Sequence, residues 1–246
     1  SLTREKNSFV YEKIDKPLIN VLASMENYGV KVDKKCLENL SSEFSKQIQR
    51  LEEQIFKITK KEFNIGSPKQ LGEILFEEMG LLGVKKTKTG TFSTNSNILE
   101  ELAFNGEEIA NYILGWRELS KLKSTYTDAL IEQISSKTGR VHTSYAPAAT
   151  ITGRLSSNNP NLQNIPIRTL NGKKIRHAFI PENNNQLVSF DYSQIELRLA
   201  AEISNDTNLI QAFKNEEDIH SLTAIQIFGV KEKEVNTNYR RKAKTI

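Results

Sequence analysis

Two carboxylates, five positions apart, follow a short apolar run near residue 190. Asp191 comes directly after Leu187–Phe190, and Glu196 lies in what reads as the first turn of a helix. A strand that ends in an aspartate and turns at once into a helix presents that carboxylate at an edge, where it can hold a divalent metal. The segment also fits a structural interpretation, the capping box S-x-x-E, with Ser193 as N-cap and Glu196 reaching back to its amide. Other segments must decide between the two.

Further segments occur in a fixed order around this one. Asp191–Arg198 (DYSQIELR) is preceded by Thr152–Pro166 (TGRLSSNNPNLQNIP) and followed by Asp218–His220 (DIH) and Arg240–Ile246 (RRKAKTI). These segments resemble parts of the family A DNA polymerases, the DNA polymerase I type. Asp191–Arg198 resembles motif A, and Thr152–Pro166 resembles the segment that contacts the minor groove beside the primer end. Asp218–His220 resembles the fingers segment with its histidine, and Arg240–Ile246 resembles the start of motif B. Leu122–Asp128 is similar to the thumb of the same family, so the resemblance covers nearly the whole chain.

The resemblance implies a magnesium-dependent nucleotidyl transfer. Asp191 would be the catalytic carboxylate and a metal ligand, with the backbone carbonyl of Tyr192 as a further ligand. In the family two Mg²⁺ ions flank the reacting phosphorus; one activates the primer 3′-hydroxyl and the other neutralises the triphosphate. The second metal-binding aspartate of the family lies in a His-Asp-Glu segment that does not occur in these 246 residues. We therefore expect half of the metal site, and no primer extension by this chain alone.

Nucleotide-binding residues follow from the same resemblance: Gln194, Glu196, His220, Arg240 and Lys244. Glu196 would block the ribose 2′-position and so favour deoxynucleotides, and His220 would meet the nucleotide phosphates. Arg240 and Lys244 lie four residues apart, on one helix face, where a guanidinium fork and a compact ammonium could hold a triphosphate. Taken singly, a lone histidine and a basic helix face are also typical of an ordinary surface.

DNA-binding residues are expected in three places, the thumb tip, the second long helix and the minor-groove segment. Neutral donors and an arginine beside a glycine suit the minor groove, because its hydrogen-bond acceptors are nearly the same for every DNA sequence. Lysines suit contacts with the phosphates. The Lys85–Lys88 cluster also fits a solvated turn. The family often has asparagine where Gly66 stands. The expected DNA contacts are Asn64, Ser67, Lys85, Lys86, Lys88, Lys121, Lys123, Ser124, Arg154, Asn161, Gln163 and Asn164.

Composition and charge restrict the class of protein. The chain is 37% hydrophobic and 26% charged, values of a globular protein that can bury a core. No apolar run approaches the roughly 20 residues of a membrane span, and the N-terminus has no signal-peptide core. The single cysteine, Cys36, cannot form an intrachain disulfide. The net charge of +4, from 34 basic and 30 acidic residues, permits a polyanionic partner without establishing one.

Helical periodicity dominates the first half of the sequence. A short helix around Pro17–Leu22 should end at Gly29, and a long amphipathic helix should start after Asp33 as N-cap. A second long helix carries apolar residues from Ile109 to Ile134, and Ser67-Pro68 marks a helix start between the two. The pattern predicts an antiparallel pair with an elaborated tip; an ordinary coiled-coil hairpin is the alternative.

After Gly139 the pattern becomes strand-like, at Val141–Tyr145, Lys174–Ile180 and Leu187–Phe190. These strands predict a small antiparallel sheet with Asp191 at one strand end. Helices resume at Gln194 and continue as two short helices on either side of the Glu216–Asp218 turn.

The predicted fold is α+β: a helical thumb with long antiparallel helices, part of an antiparallel-sheet palm and the start of helical fingers. The predicted boundaries are a connector and palm-base helix over 1–31, a thumb over 32–138, the first part of a palm over 139–205, and the first part of the fingers over 206–246.

The function predicted from all of this is template-directed DNA synthesis in replication or repair. The expected partners are primer-template DNA and deoxynucleoside triphosphates, the expected state is a monomer without membrane contact, and the expected location is the bacterial cytoplasm, nucleoid-associated, or an organelle. The main alternative is a non-catalytic DNA-binding protein on the same scaffold, which would not need Asp191. A helical interaction module is a third, and it predicts no magnesium dependence.

Overall fold

The computed structural model describes residues 4–81, 90, 92–167 and 169–243. The chain forms two compact units, residues 1–187 and residues 188–246. Both are rich in helices, and the strands form small antiparallel sheets, so the predicted α+β class is confirmed. Within the described ranges, no helix is both long and apolar enough to cross a membrane.

The first unit contains eight α-helices, three π-helical segments and four short strands among its described residues. The α-helices are α1 (Ser8–Val10), α2 (Lys16–Tyr28), α3 (Lys34–Thr59), α4 (Pro68–Gly72), α5 (Ser96–Phe104), α6 (Glu108–Leu122), α7 (Ala129–Glu132) and α8 (Leu170–His177). The π segments are Tyr11–Asp15, Glu73–Glu78 and Lys123–Asp128, and the strands are β1 (Val30–Lys31), β2 (Arg140–Val141), β3 (Ser144–Ala146) and β4 (Ser156–Asn158).

Helix α3 starts where the sequence predicts. The Asp33 carboxylate accepts a hydrogen bond from the Cys36 amide at 3.0 Å and satisfies one of the free N–H groups of the first turn. Apolar residues three or four positions apart then bury one stripe of the helix, with Leu37 and Phe44 fully buried. The helix has 26 residues and is therefore about 39 Å long.

The second long helix consists of α6, the π segment Lys123–Asp128 and α7, and it runs antiparallel to α3. Ser41, early in α3, donates to Asp128 at 2.6 Å, whereas Glu52, late in α3, accepts from the Trp116 indole at 2.9 Å. The predicted antiparallel pair is therefore confirmed. The prediction that the helix extends to Ile134 was wrong, because it ends at Glu132 and Ile134 instead forms a bridge with Val141.

Two apolar clusters hold the first unit together. Near the base, Phe44, Tyr126 and Val141 pack with their neighbours. Near the tip, Ile55 and Ile113 pack against the small helices inserted between the two long ones. The inserted part begins at Ser67, whose hydroxyl caps α4 by accepting from the Gln70 amide, as predicted. The elaborated tip is thus part of the core of this unit.

The strands form two separate two-stranded antiparallel sheets, in which Val30 pairs with Val141 and Tyr145 with Ser157. The end of α2 is fastened to them, since the Glu26 carboxylate accepts a hydrogen bond from the Tyr145 amide at 2.6 Å. Gly29 ends α2 with φ +66°, and a Cβ there would come within 2.8 Å of the His142 ring. Only glycine fits this position without displacing the strand.

The strand predicted over Lys174–Ile180 is instead helix α8. Thr169 caps it by accepting from the Gly172 amide at 3.1 Å. Its buried residues Gly172 and Ile175 are three apart, which is a helical spacing that the apparent alternation obscured.

The strand predicted over Leu187–Phe190 was also wrong, and so was the placement of Asp191 at a strand end. This segment pairs with no strand among the described residues, and Phe190 is 92% exposed. An apolar run of this kind becomes a strand only when a neighbouring backbone takes up its hydrogen bonds.

The second unit is made of short helices: α9 (Ile195–Ser204), α10 (Thr207–Lys214), α11 (Ile219–Phe228), a 3₁₀ turn (Glu232–Glu234) and α12 (Thr237–Ala243). The turn between α10 and α11 was predicted correctly. The alternative interpretation, with Ser193 as the N-cap of α9, was wrong, because Gln194 is the N-cap residue and makes no side-chain capping hydrogen bond.

Candidate functional site

The segment that carries Asp191 is exposed and held by few local contacts. Asp191 and Tyr192 precede α9 in irregular backbone, and both side chains face solvent. Arg198, one turn into α9, donates through Nε to the Ser193 carbonyl at 2.9 Å. Its guanidinium also lies 4.6 Å from the centroid of the Phe213 ring. The turn after Asp191 is thus tied to both α9 and α10.

Gln194 has the least usual environment in this turn. Its φ of 54° puts a non-glycine residue in the left-handed region. Its Oε1 atom is buried and has no hydrogen-bond partner among the described residues. A buried acceptor without a partner is costly, and strained backbone of this kind clusters at functional sites.

A cleft of about 410 Å³ in the second unit brings Gln194 together with Arg240. It is lined by Ser193, Gln194, Arg198, Phe213, Glu216, Glu217, Asp218 and Arg240. Two of the predicted nucleotide-binding residues therefore share one cavity. Glu196 lies on the exposed side of the first turn of α9, and Asp191 is not part of the lining.

Asp218 links the predicted phosphate-binding residues. Its carboxylate caps α11 by accepting from the amide of His220 at 3.2 Å, and it accepts from Arg240 Nε at 2.5 Å and Nη2 at 3.3 Å. Ser221 donates a further hydrogen bond at 2.8 Å. The hydrogen bond from Arg240 is the main reason why the pKa of Asp218 falls to about 2. Sequence reasoning did not single out Asp218, because its partner Arg240 lies 22 positions away along the chain.

The ligand chemistry for magnesium is present in part. The Asp191 carboxylate and the Tyr192 backbone carbonyl are both hard oxygen donors, and Mg²⁺ uses one or two carboxylates while keeping several waters. Within the described ranges, no group of three or more histidine, cysteine, aspartate or glutamate side chains is close enough together to hold a metal. Asp191 and the Tyr192 carbonyl are therefore the type of ligand that magnesium prefers, and they supply one carboxylate.

In the first unit, the segment Thr152–Pro166, which is predicted to contact the minor groove, is braced by a buried hydroxyl network. Thr143 and Ser157 are buried and share a hydrogen bond of 2.7 Å, and both reach the Pro160 carbonyl. The Tyr126 hydroxyl donates to the Asn164 carbonyl at 2.5 Å, which fixes the other end of the segment to the long helix. The backbone of this loop is therefore held by packed elements.

Two polar side chains of the loop hold the loop itself in place. Gln163 braces the loop itself, donating to the Leu155 carbonyl at 2.7 Å and accepting from the Ser157 amide. Asn161 accepts from the Gln163 amide at 3.0 Å. Arg154 is exposed beside Gly153, whose φ is +72°.

A cleft of about 630 Å³ lies between this loop and the long helix, where Lys121, Asn161 and Asn164 meet. The structure thus brings together predicted DNA contacts from two distant parts of the sequence. Lys123, by contrast, is paired with Asp128 at 2.5 Å. Burial raises the pKa of Asp128, but hydrogen bonds from Lys123 and Ser41 outweigh this effect and the pKa lies below its usual value. Ser124 is exposed on the same turn.

At the tip, Asn64 and Ser67 lie in one tight turn. Asn64 accepts from the Gly66 amide at 2.9 Å, and its carbonyl accepts from the Ser67 amide at 2.9 Å. Arg117, which sequence reasoning missed, lines a cleft of about 480 Å³ beside this turn and donates to Thr94. Burial lowers the pKa of Arg117. Its place in a regular amphipathic helix hid it in the sequence. The predicted contacts Lys85, Lys86, Lys88 and Lys244 lie outside the described residues.

Comparison with known proteins identifies the chain's relatives. The family described as DNA polymerase family A matches residues 34–246. DNA polymerase I of Rhizobium leguminosarum is 52% identical over 237 residues, which are 96% of this chain and 23% of that protein. DNA polymerase I of Geobacillus stearothermophilus is 48% identical over 246 residues, which are 100% of this chain and 28% of that protein. The chain spans about a quarter of the length of these curated relatives.

A solved structure agrees with the sequence comparison. The POL domain of Pol1 from M. smegmatis, in complex with DNA primer-template and dNTP, superposes with a TM-score of 0.89 at 39% identity. The match covers 99% of this chain and 43% of that chain. With the polymerase-like segments in order and the family match over residues 34–246, the chain belongs to DNA polymerase family A.

Proposed function

We propose that this chain takes part in template-directed DNA synthesis, the addition of deoxynucleotides to a primer 3′-hydroxyl. The observation that carries the proposal is the cleft that is lined by both Gln194 and Arg240. Gln194 lies three residues after Asp191 in the sequence. Its likeness to a solved polymerase that holds primer-template and dNTP supports the same assignment. Primer-template DNA and deoxynucleoside triphosphates are thus the proposed partners.

Each group of residues has a proposed task. Asp191 and the Tyr192 carbonyl would hold Mg²⁺, which when bound supplies activation of the hydroxyl and neutralises phosphate charge. Gln194, His220, Arg240 and Lys244 would bind and orient the triphosphate. Glu196 would stand against the ribose 2′-position and exclude a hydroxyl there by contact.

DNA binding would fall to the first unit. Lys121, Asn161 and Asn164 around the larger cleft suit the minor groove, whose acceptors vary little with sequence. Asn64, Ser67 and the Lys85–Lys88 cluster would contact phosphates. We retain the division into a connector over 1–31, thumb over 32–138, palm over 139–205 and fingers over 206–246 as part of this proposal.

A chimera tests the proposal. Residues 1–246 would replace the matching segment of the Geobacillus stearothermophilus DNA polymerase I, which aligns with the whole chain. The chimera should extend a primer with dNTPs only when Mg²⁺ is added. A chimera that folds and binds primer-template with normal affinity but does not extend it would instead support a non-catalytic DNA-binding role for this sequence.

A further inference from the structure

The ion pair between Asp218 and Arg240 has a geometry that goes beyond helix capping. Arg240 approaches the carboxylate side-on, using Nε at 2.5 Å and Nη2 at 3.3 Å. Each carboxylate oxygen accepts a second hydrogen bond as well, Oδ1 from the His220 amide and Oδ2 from the Ser221 hydroxyl. The carboxylate is therefore fixed from both sides, and it fixes the plane of the guanidinium in turn.

A ring contact between α11 and α12 lies away from the guanidinium and does not constrain it. The Phe228 and Tyr239 rings pack 5.4 Å apart and fix the crossing of the two helices near the end of α11. Arg240 extends to the opposite end of α11, where its side chain is 47% exposed. A long arginine side chain at such a place would sample many rotamers if the carboxylate did not hold it.

The pairing leaves part of the guanidinium available to a second anion. A side-on pair uses Nε and one Nη2 hydrogen, so the Nη1 donors are not used by Asp218. Arg240 lines the cleft that also contains the unpartnered oxygen of Gln194. The same carboxylate orders the first turn of α11, where His220 lies.

We propose that Asp218 is a positioning residue for nucleotide binding: it aims Arg240 at the triphosphate and orders the turn that carries His220. This inference rests on the proposed function, because it takes the triphosphate as the ligand of Arg240. Asp218 would act through Arg240 and the first turn of α11 and not as a phosphate ligand, because a carboxylate and a phosphate repel each other. Its ionised form is secured by its depressed pKa of about 2.

The chain offers a control matched in both charge and capping role. Asp206 caps α10 by accepting from the amides of Asn208 and Leu209, and no arginine among the described residues pairs with it. Asparagine is as good an N-cap as aspartate, so Asp218→Asn and Asp206→Asn should both keep the helix cap. Asp218→Asn should lower the melting temperature of the chimera only slightly, because the ion pair that it removes is partly exposed. Each removes one negative charge from the second unit.

In the chimera, Asp218→Asn should raise KM for dNTP about tenfold with kcat changed less than threefold, because a charge-assisted hydrogen bond that orients the ligand's partner is lost. Asp206→Asn should leave KM within twofold. In an Arg240→Ala background, Asp218→Asn should add less than twofold, since its effect passes through Arg240. An equal effect of Asp218→Asn with and without Arg240 would overturn the positioning role. An unchanged KM in Arg240→Ala alone would instead remove Arg240 from the proposed nucleotide site.

A second measurement does not depend on activity. It tests whether Asp218→Asn strengthens or weakens the binding of a polyphosphate. The 246-residue chain is titrated with inorganic tripolyphosphate, and binding is followed by the NMR signal of Arg240 Nε–H. Coulomb repulsion alone predicts tighter binding when the Asp218 charge is removed. If Asp218 positions Arg240, tripolyphosphate should bind more weakly to Asp218→Asn than to the unchanged chain. Asp206→Asn should not weaken tripolyphosphate binding. Tighter binding in Asp218→Asn would show that the carboxylate competes with the triphosphate for Arg240, and the proposal would be wrong.

Discussion

The two units of this chain position their functional groups by different means. In the first unit, large side chains such as Phe44, Ile55 and Ile113 are fully buried, and the polar groups sit on elements packed around them. Among the described residues of the second, the buried hydrophobic ones are four alanines and Ile219, and Tyr192 is 82% exposed. Charged hydrogen bonds, Arg198 to Ser193 and Arg240 to Asp218, fix the geometry there.

The difference teaches where substitutions should act. Burial of apolar surface is non-directional and stabilises the fold as a whole, so core changes in the first unit should alter folding. Charge-assisted hydrogen bonds are directional and contribute little net stability when exposed. Changes to them in the second unit should therefore alter chemistry at nearly constant stability.

The largest expected effect is that of Asp191→Asn in the chimera. The substitution keeps the shape of the side chain but removes the charge proposed to hold the metal, so turnover should fall about a thousandfold or more. Primer-template affinity should remain within twofold, because the proposed DNA contacts lie in the first unit. Glu202→Gln, which neutralises an exposed carboxylate on α9, is the control and should leave turnover unchanged. Near-normal incorporation by Asp191→Asn would remove this residue from the metal site.

A pair of phenylalanine substitutions tests the comparison itself. Phe44→Ala should lower the free energy of unfolding of the first unit by about 3–5 kcal/mol, because it opens a cavity in a closed core. Phe190→Ala should change stability by less than about 0.5 kcal/mol, because that ring is already in solvent. Both are measured by denaturant unfolding of the 246-residue chain. Equal losses would mean that Phe190 is buried in solution and that the contrast between the units fails.

Glu196→Ala should change selectivity without changing stability. Removing the side chain proposed to exclude a 2′-hydroxyl should raise ribonucleotide over deoxynucleotide incorporation by about tenfold in the chimera. The melting temperature should stay constant, since the N-cap residue of α9 is Gln194 and not Ser193. A constant incorporation ratio with a stability loss of about 0.5–2 kcal/mol would restore the capping role.

The smallest effect concerns the titration of Asp218. Its pKa of about 2, against an ordinary 3.8, results first from the Arg240 hydrogen bond. Because the folded-state pKa is the lower one, the ionised carboxylate stabilises the fold above about pH 4, and this contribution disappears as the pH falls towards 2. In Arg240→Ala the pKa should rise towards 3.8, as followed by the ¹³C signal of the carboxyl carbon. A midpoint that does not move would show that Arg240 is not the cause.

Local signals in the sequence predicted the parts of the fold that local forces determine. Asp33 and Ser67 are helix caps whose partners lie three residues away, and the stripe on α3 predicts burial by spacing alone. The strands were harder, because a strand depends on a distant partner. Leu187–Phe190 has the composition of a strand and no pairing among the described residues, while α8 has alternating residues and a helical core.

The candidate site shows the same limit. Motif order predicted the family and the residues to inspect, and the structure placed Gln194 and Arg240 on one cleft. The pairing of Asp218 with Arg240 joins residues 22 positions apart and could not be derived from spacing. The ion pair between Lys123 and Asp128 was not predicted for a similar reason. The two residues are five positions apart, and only the π-helical turn brings their side chains together.

The hydrogen bond from the Tyr145 amide to the Glu26 carboxylate has a consequence for solubility. A two-stranded sheet has two open edges, and an open edge can template pairing with another chain. Glu26 accepts from an edge N–H of β3, where a third strand would otherwise attach, and a charged side chain there repels an incoming strand. The end of α2 thus protects this sheet edge against strand addition and aggregation.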